Sequence, residues 1–255
     1  MKAPTKADFS YSRVWDDTLQ MLRANAGLLS AIAGVFLFLP AVLVAHFVSP
    51  PEGGTTTPAE MIEVMISWWQ SNAHWMLLSA LVNMIGLIAI YLLLLAAPRM
   101  TVGGAVIAAL PILPFYLALT IFLNLSLAAG FLLLVIPFIY LLGRLSLASP
   151  VLVAEMRRSP FSALGRSWEL SRGLGWQIAL LVLLVYVAAL VINVAVSSAL
   201  GIVIVLLLGS EGVGGLLLAI VEAILSAATT LIATVLLAAI YRALTSRPDL
   251  TKRFS

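Results

Sequence analysis

Cysteine is absent from the 255 residues, which excludes disulfides, thiolate metal sites and a cysteine nucleophile. Charge is scarce as well: Asp, Glu, Lys and Arg make up 10% of the chain, against roughly 25% in soluble domains. Histidine occurs only twice, as His46 and His74, and neither stands in a His-x-x-x-His or His-Glu-x-x-His pattern. There is no phosphate loop, dinucleotide fingerprint or nucleophile-elbow serine. What abounds is apolar: 62% of residues are hydrophobic, with a mean hydropathy of +1.12. A single soluble core of that composition would lack the polar surface to cover it. Most of the chain therefore belongs in a bilayer, and a large soluble catalytic domain is excluded.

A spanning helix needs ~20 apolar residues at ~1.5 Å each. Six segments qualify, at about residues 27–48, 76–97, 102–123, 127–148, 177–200 and 216–239. The fifth apolar run continues to Leu208, too long for a ~30 Å hydrocarbon core, so a break or bend is expected near Ser197–Gly201. Pro40, Pro111, Pro114 and Pro137 predict kinks inside spans one, three and four. The first span starts after residue 25, behind an acid-containing amphipathic segment, and is not expected to be a cleaved signal.

Orientation follows from Lys and Arg in the short loops. Lys2, Lys6, Arg13 and Arg23 precede span one, and Arg99 follows span two. Arg144, Arg157, Arg158, Arg166 and Arg172 lie at or between the ends of spans four and five; Arg242, Arg247, Lys252 and Arg253 follow span six. All 14 basic residues thus fall on one side, while the opposite loops hold Glu52, Glu60, Glu63 and Glu211. Both termini are expected in the cytoplasm. Tryptophan prefers the headgroup region, and Trp15, Trp168 and Trp176 fall at the inner boundary, Trp68, Trp69 and Trp75 at the outer one.

Three segments outside the spans read as amphipathic interfacial helices. Residues 9–25 carry an apolar stripe of Tyr11, Val14, Trp15, Leu19 and Leu22. Residues 159–173 carry Phe161, Leu164 and Trp168, with Ser159 as N-cap and Pro160 at the first helical position. Residues 58–72 form an external helix opened by Thr57-Pro58-Ala59-Glu60, with capping-box spacing. The two cytoplasmic helices share a pattern, Arg13-Val14-Trp15-Asp16 against Arg166-Ser167-Trp168-Glu169. This suggests a duplicated unit of surface helix plus hairpin, parallel about an axis normal to the membrane. Convergence on a common interfacial pattern is the alternative.

Ser12-Arg13-Val14-Trp15-Asp16-Asp17-Thr18 ahead of a first span resembles the start of the YciC-like bacterial inner-membrane proteins. So does the external Thr57-Pro58-Ala59-Glu60 helix. The stretch from Pro137 through Pro150-Val151-Leu152-Val153-Ala154-Glu155 to Ala163–Leu170 is also similar to the membrane domain attached to some glycerophosphodiester phosphodiesterases. The resemblance implies a six-span inner-membrane protein without an assigned reaction, and it carries over no functional residues. A phosphodiesterase would need a separate soluble barrel with His and carboxylate ligands, for which this chain has no room.

The expected fold is thus all-α and polytopic, a single integral membrane domain of six transmembrane helices plus amphipathic interfacial helices. Candidate lipid-headgroup contacts are Arg144, Arg157, Arg158, Arg166 and Arg172, each contributing ~1 kcal/mol near anionic headgroups. Fixing topology is their other reading. Candidate intramembrane polar residues are Asn83, Asn193 and Glu222. Glu222 lies 20 residues before Arg242, so it reads as an interfacial carboxylate or as an acid facing the bundle. No catalytic, cofactor or metal residue is expected, and no nucleic-acid partner. The expected function is a non-enzymatic inner-membrane protein that binds membrane lipids, anionic ones included, or assists another membrane protein. The alternative is a transporter or channel for an apolar or lipid-like substrate.

Overall fold

The computed structural model describes residues 10–49, 51, 57–96, 100–209 and 212–245. Lys2, Lys6, Glu52, Gly53, Gly54, Arg99, Glu211, Arg247, Lys252 and Arg253 lie outside them. The described chain is helical: α1 Tyr11–Ala24, α2 Ala26–Phe47, α3 Pro58–Tyr91, α4 Val102–Ala109, α5 Leu113–Leu133, α6 Val135–Leu145, α7 Ala148–Ala154, α8 Pro160–Leu170, α9 Gly175–Leu208 and α10 Val213–Thr245. Among the described residues, six apolar helical stretches are long enough to cross a membrane: α2, α3, α5, α6 with α7, α9 and α10. The chain is an all-helical polytopic membrane protein.

Several boundaries differ from those the sequence suggests. Spans three and four lie at Leu113–Leu133 and Val135–Ala154, about half and about one-third of a span further along than expected. Pro111 falls in the turn after Ala109, and Pro114 sits in the first turn of α5. Both lack the N–H a continuing helix would need, so residues 102–109 become a separate short helix packed on α3. The hairpin then turns at Leu134, and Pro137 occupies the first turn of α6 rather than mid-membrane. Pro150 ends α6: its ring and missing N–H disfavour a bond to the Ser146 carbonyl, and the chain turns at Ser146–Leu147 before α7.

Span five does not break at Ser197–Gly201. α9 is one helix of 34 residues, or ~51 Å at ~1.5 Å per residue. Small residues lower helix propensity without interrupting the hydrogen-bond ladder. Crossing a ~30 Å core at that length requires tilt, extension beyond it, or both. The external segment 58–72 is likewise not a separate surface helix, because α3 runs unbroken from it into span two. Its predicted start is present: Thr57 Oγ1 accepts from Glu60 N at 3.3 Å, with Pro58 at the first position. Pro40 is accommodated by a π-helical turn at Gly34–Phe38 immediately before it, which loosens the ladder its ring would otherwise hit. Gly86 of α3 abuts this turn; a Cβ there would lie 2.5 Å from Phe36 Cβ.

Packing is concentrated at the end of the bundle carrying α1 and α8. Leu29 and Ile32 of α2, Ile88 and Ile90 of α3, Leu152 of α7, Ile178 of α9 and Leu236 and Ile240 of α10 are fully buried there. α10 is the central post, with Ala233–Leu236 and Ala238–Tyr241 all buried. The opposite end is splayed. Leu132 at the tip of α5 is 85% exposed and Leu206 in α9 is 78% exposed, a surface suited to lipid chains. Phe47 stacks on Trp75 at 4.7 Å there, and Trp68 Nε1 donates to the Ser49 carbonyl at 2.6 Å.

The buried faces of α1 and α8 are rotated from the expected stripes. Val14, Thr18 and Met21 are buried while Tyr11 and Trp15 are exposed. Ala163, Ser167 and Leu170 are buried in α8 while Phe161 and Trp168 are exposed. Small and hydroxyl-bearing residues allow close approach to neighbouring helices. With Arg13 set against Arg166, Val14, Thr18 and Met21 match Ser167, Ser171 and Leu174, all buried. Trp15 and Trp168 match at 40% exposure each. Even the back-bonds coincide: Thr18 Oγ1 to the Val14 carbonyl and Ser171 Oγ to the Ser167 carbonyl, both 2.7 Å. The pattern shared in four letters extends to burial, which duplication and convergence on an interfacial helix both accommodate.

Candidate functional site

The five arginines expected to meet headgroups separate into different environments. α7 ends in a Schellman turn: the Arg157 N–H donates to the Leu152 carbonyl at 2.9 Å and the Met156 N–H to the Val153 carbonyl at 3.3 Å. Met156 takes the left-handed position at φ 48°. This turn aims Glu155 at three partners. Arg157 Nε donates to its Oε2 at 2.7 Å, Arg166 Nε to its Oε1 at 3.3 Å, and the Tyr241 hydroxyl to Oε1 at 3.4 Å. Arg166 Nη1 also reaches Glu169 Oε2 at 3.2 Å. Burial would lower the Arg166 pKa, but the hydrogen bonds it donates to Glu169 and Glu155 outweigh it and hold the value above the ordinary one. Arg157 and Arg166 are therefore tied up, fastening α7 and α8 to the end of α10.

Arg158 and Arg172 are exposed, and no ion pair engages either among the described residues. They remain candidates for headgroup contact. Arg144 is a third case. The sequence suggests a side chain snorkelling to the headgroups, yet it is only 5% exposed. Its Cζ lies over the Trp168 ring at 4.1 Å and over Tyr140 at 5.9 Å. Two glycines make that burial feasible. A Cβ on Gly143 would strike the Gly175 carbonyl, and one on Gly175 would lie 2.8 Å from Arg144 Cδ. The Arg144 carbonyl is taken by Ser167 Oγ at 2.7 Å and Ser171 Oγ at 3.3 Å. Its buried Nε has no hydrogen-bond partner.

A lateral groove of about 660 Å³ runs between α1, α9 and α10. Tyr11, Ser12 and Trp15 close it at the α1 end, and its walls are Leu181, Leu184, Val185, Ala188 and Ile192 from α9 with Leu225, Ala228 and Ile232 from α10. Asn193 lines it as well, with Nδ2 donating to the Ala189 carbonyl at 2.7 Å and Thr229 Oγ1 at 3.1 Å. That bond joins α9 to α10, the bridging use of an intramembrane amide.

Asn83 lines a different space, a cleft of about 400 Å³ between α3, α5, α6, α7, α9 and α10. Tyr116, Asn124, Ser146, Ser149 and Tyr186 share its wall. Asn83 Nδ2 itself donates to the Ser79 carbonyl at 2.8 Å. No local pattern signals that these polar residues converge, since they come from four helices and the turn before α7. Glu222 is exposed, so it does not face the bundle, in keeping with the interfacial reading. His46 and His74 are exposed beside the Phe47–Trp75 stack, and no cluster of three metal-ligating side chains occurs among the described residues. Glu155 and the groove were missed too. The one sequence sign of the former is a lone acid beside Arg157 and Arg158.

No family model, curated protein or solved structure matches the chain. Its class therefore rests on its six apolar helices, and its activity must be argued from the surfaces just described.

Proposed function

We propose that this chain is a non-enzymatic protein of the bacterial inner membrane, both termini cytoplasmic, that holds a membrane lipid in the α1–α9–α10 groove. The observation carrying this reading is the groove itself. It opens laterally, its walls are almost wholly apolar, and from Leu181 to Asn193 it follows α9 for ~18 Å. An acyl chain fits such a channel, and the aromatic and hydroxyl groups of Tyr11, Trp15 and Ser12 suit the interfacial depth of its glycerol end. Support for another membrane protein is compatible with the same role, the held lipid or the splayed far end forming the contact. Membership of the YciC-like family goes with this proposal, on the residues Ser12–Thr18 and Pro137–Leu170.

The test is native mass spectrometry of the full chain after exhaustive detergent washing. Wild type should keep a diacyl lipid, and Ala188→Trp, which fills the groove from an exposed position, should release it at an unchanged melting temperature. A lipid-free wild type, or an A188W protein that keeps its lipid, rejects the groove as a lipid site.

A second reading is a transporter or channel, favoured by the polar-lined cleft around Asn83. Its wall offers amides and hydroxyls without charge, which suits a small neutral polar solute better than an ion or the apolar substrate the sequence suggests. Uptake into proteoliposomes lost on Asn83→Leu and Asn124→Leu, with A188W harmless, would select this reading.

A further inference from the structure

We infer that Arg144, with Arg172 beside it, is the seat of a phosphate group on a face of α9 different from the groove. Groove residues on α9 are Leu181, Val185 and Ala188, whereas Arg144 packs at Gly175, with the neighbouring Gly143 against Ala179. The inference does not rest on the groove reading.

Three observations converge. Arg144 is buried, and its Nε is left without an acceptor. A buried cationic donor with no acceptor is costly and is retained where a ligand completes it. No carboxylate pairs with it among the described residues, although the nearby Arg166 has two. A second cation, Arg172, acts on it through space. Two guanidinium groups without an intervening acid make a local positive field that an anion neutralises.

The surroundings define which anion. Trp168 covers the guanidinium face at 4.1 Å, and Tyr140 packs edge-on to Trp168 at 5.9 Å. Trp176, half-exposed, packs 6.0 Å from Tyr140. This is the aromatic environment of the headgroup boundary, where phosphates lie. Trp168 lies over the plane of the guanidinium, and its Nε with an Nη is spaced to match two phosphate oxygens at its edge. Gly143, Gly175 and the serine hydroxyls on the Arg144 carbonyl fix the side chain in advance, so little flexibility is lost on binding. The same chemistry suits a phospholipid headgroup or a soluble phosphate.

The experiment titrates the full chain, in phosphate-free detergent buffer, with dioleoyl phosphatidylglycerol and with dioleoylglycerol, which has the same chains and no phosphate. Binding is read by native mass spectrometry. Wild type should prefer the phospholipid by about tenfold or more, the scale of a charge-assisted hydrogen bond. Arg144→Gln should abolish that preference and Arg144→Lys should keep part of it. Arg172→Gln, on the surface, should weaken it about fivefold in a salt-dependent way. Ala188→Trp should leave the preference intact, so failure of the groove and failure of this seat are separable. Displacement of the phospholipid by millimolar inorganic phosphate assigns the seat to soluble phosphates, and resistance assigns it to headgroups. Absence of a preference in wild type, or a folded R144Q protein that retains it, overturns the inference. Should R144Q not fold, an R172Q protein with undiminished preference overturns it equally.

Discussion

The Arg144 guanidinium carbon lies 4.1 Å from the centre of the Trp168 ring, joining the end of α6 to α8 24 positions later. Cation–π contacts contribute ~0.5–2 kcal/mol, more as water is excluded. Trp168 is 40% exposed while Arg144 is buried, so the indole acts as a cover over the charge. Trp168→Leu should lower unfolding stability by ~0.5–2 kcal/mol, and Trp168→Phe by less, because a π face remains. Thermal unfolding in detergent measures both; equal losses would mean that only volume matters.

At Gly143, α6 passes close against α9. An added methyl would meet the Gly175 carbonyl and lie 2.8 Å from Ala179 Cβ, and a backbone atom cannot yield as a flexible side chain does. Gly143→Ala should cost ~1–3 kcal/mol, the scale of overpacking. Gly165→Ala, with nothing within 4 Å, is the matched control on an exposed helix face and should be neutral or slightly stabilising. Chemical denaturation of the pair checks the contrast.

Six spans were readable because apolar runs of that length have no other home. Inside a run, the cues mislead. Asn124 and Ser126 look like a loop between spans three and four, yet each is satisfied within α5, by the Thr120 carbonyl at 2.9 Å and the Phe122 carbonyl at 2.7 Å. Pro111, Pro114 and Pro137 mark the true ends, since each removes a backbone donor that no neighbour replaces. The Ser197–Gly201 cluster in α9 failed as a break for the converse reason, having its full set of donors. The site was less legible than the fold. Arg144 meets Trp168, and Glu155 meets Tyr241, across separations that no local pattern encodes.

Glu155 holds Arg157, Arg166 and Tyr241 together. Its side chain is 22% exposed, between the surface pairs that contribute little and the buried ones whose disruption costs several kcal/mol. Glu155→Gln should therefore cost ~1–2 kcal/mol and free the Arg157–Arg158 turn for trypsin, seen as faster cleavage there. The arginine side sets no alkaline limit nearby. A folded-state pKa raised above the ordinary value means that the contribution of Arg166 is complete below that value and is lost only as pH rises beyond it. Stability from this cluster should be flat across neutral and mildly alkaline pH.

Asn193 and Thr229 make a side-chain bond at 3.1 Å between α9 and α10. Such intramembrane bonds average ~0.6 kcal/mol and reach ~1.7. A double-mutant cycle with Asn193→Leu and Thr229→Val should return a coupling in that range. Zero coupling would place the value of Asn193 in its own-helix bond to Ala189 instead.

Met156 is the one non-glycine residue in the left-handed region among those described, at φ 48°. A side chain in that region costs ~1–2 kcal/mol, while glycine adds ~0.5–1 kcal/mol of unfolded-state entropy. Met156 is 55% exposed, so little packing is lost on its removal. Met156→Gly should therefore stabilise the fold by ~0.5–1 kcal/mol, the difference of those two terms, with the Schellman bonds from Arg157 and Met156 kept. Denaturant midpoints measure the shift. A loss of stability instead would mean that the methionine chain makes contacts worth more than its backbone strain, and that the turn aiming Glu155 at its arginines is held from outside as well as by its own hydrogen bonds.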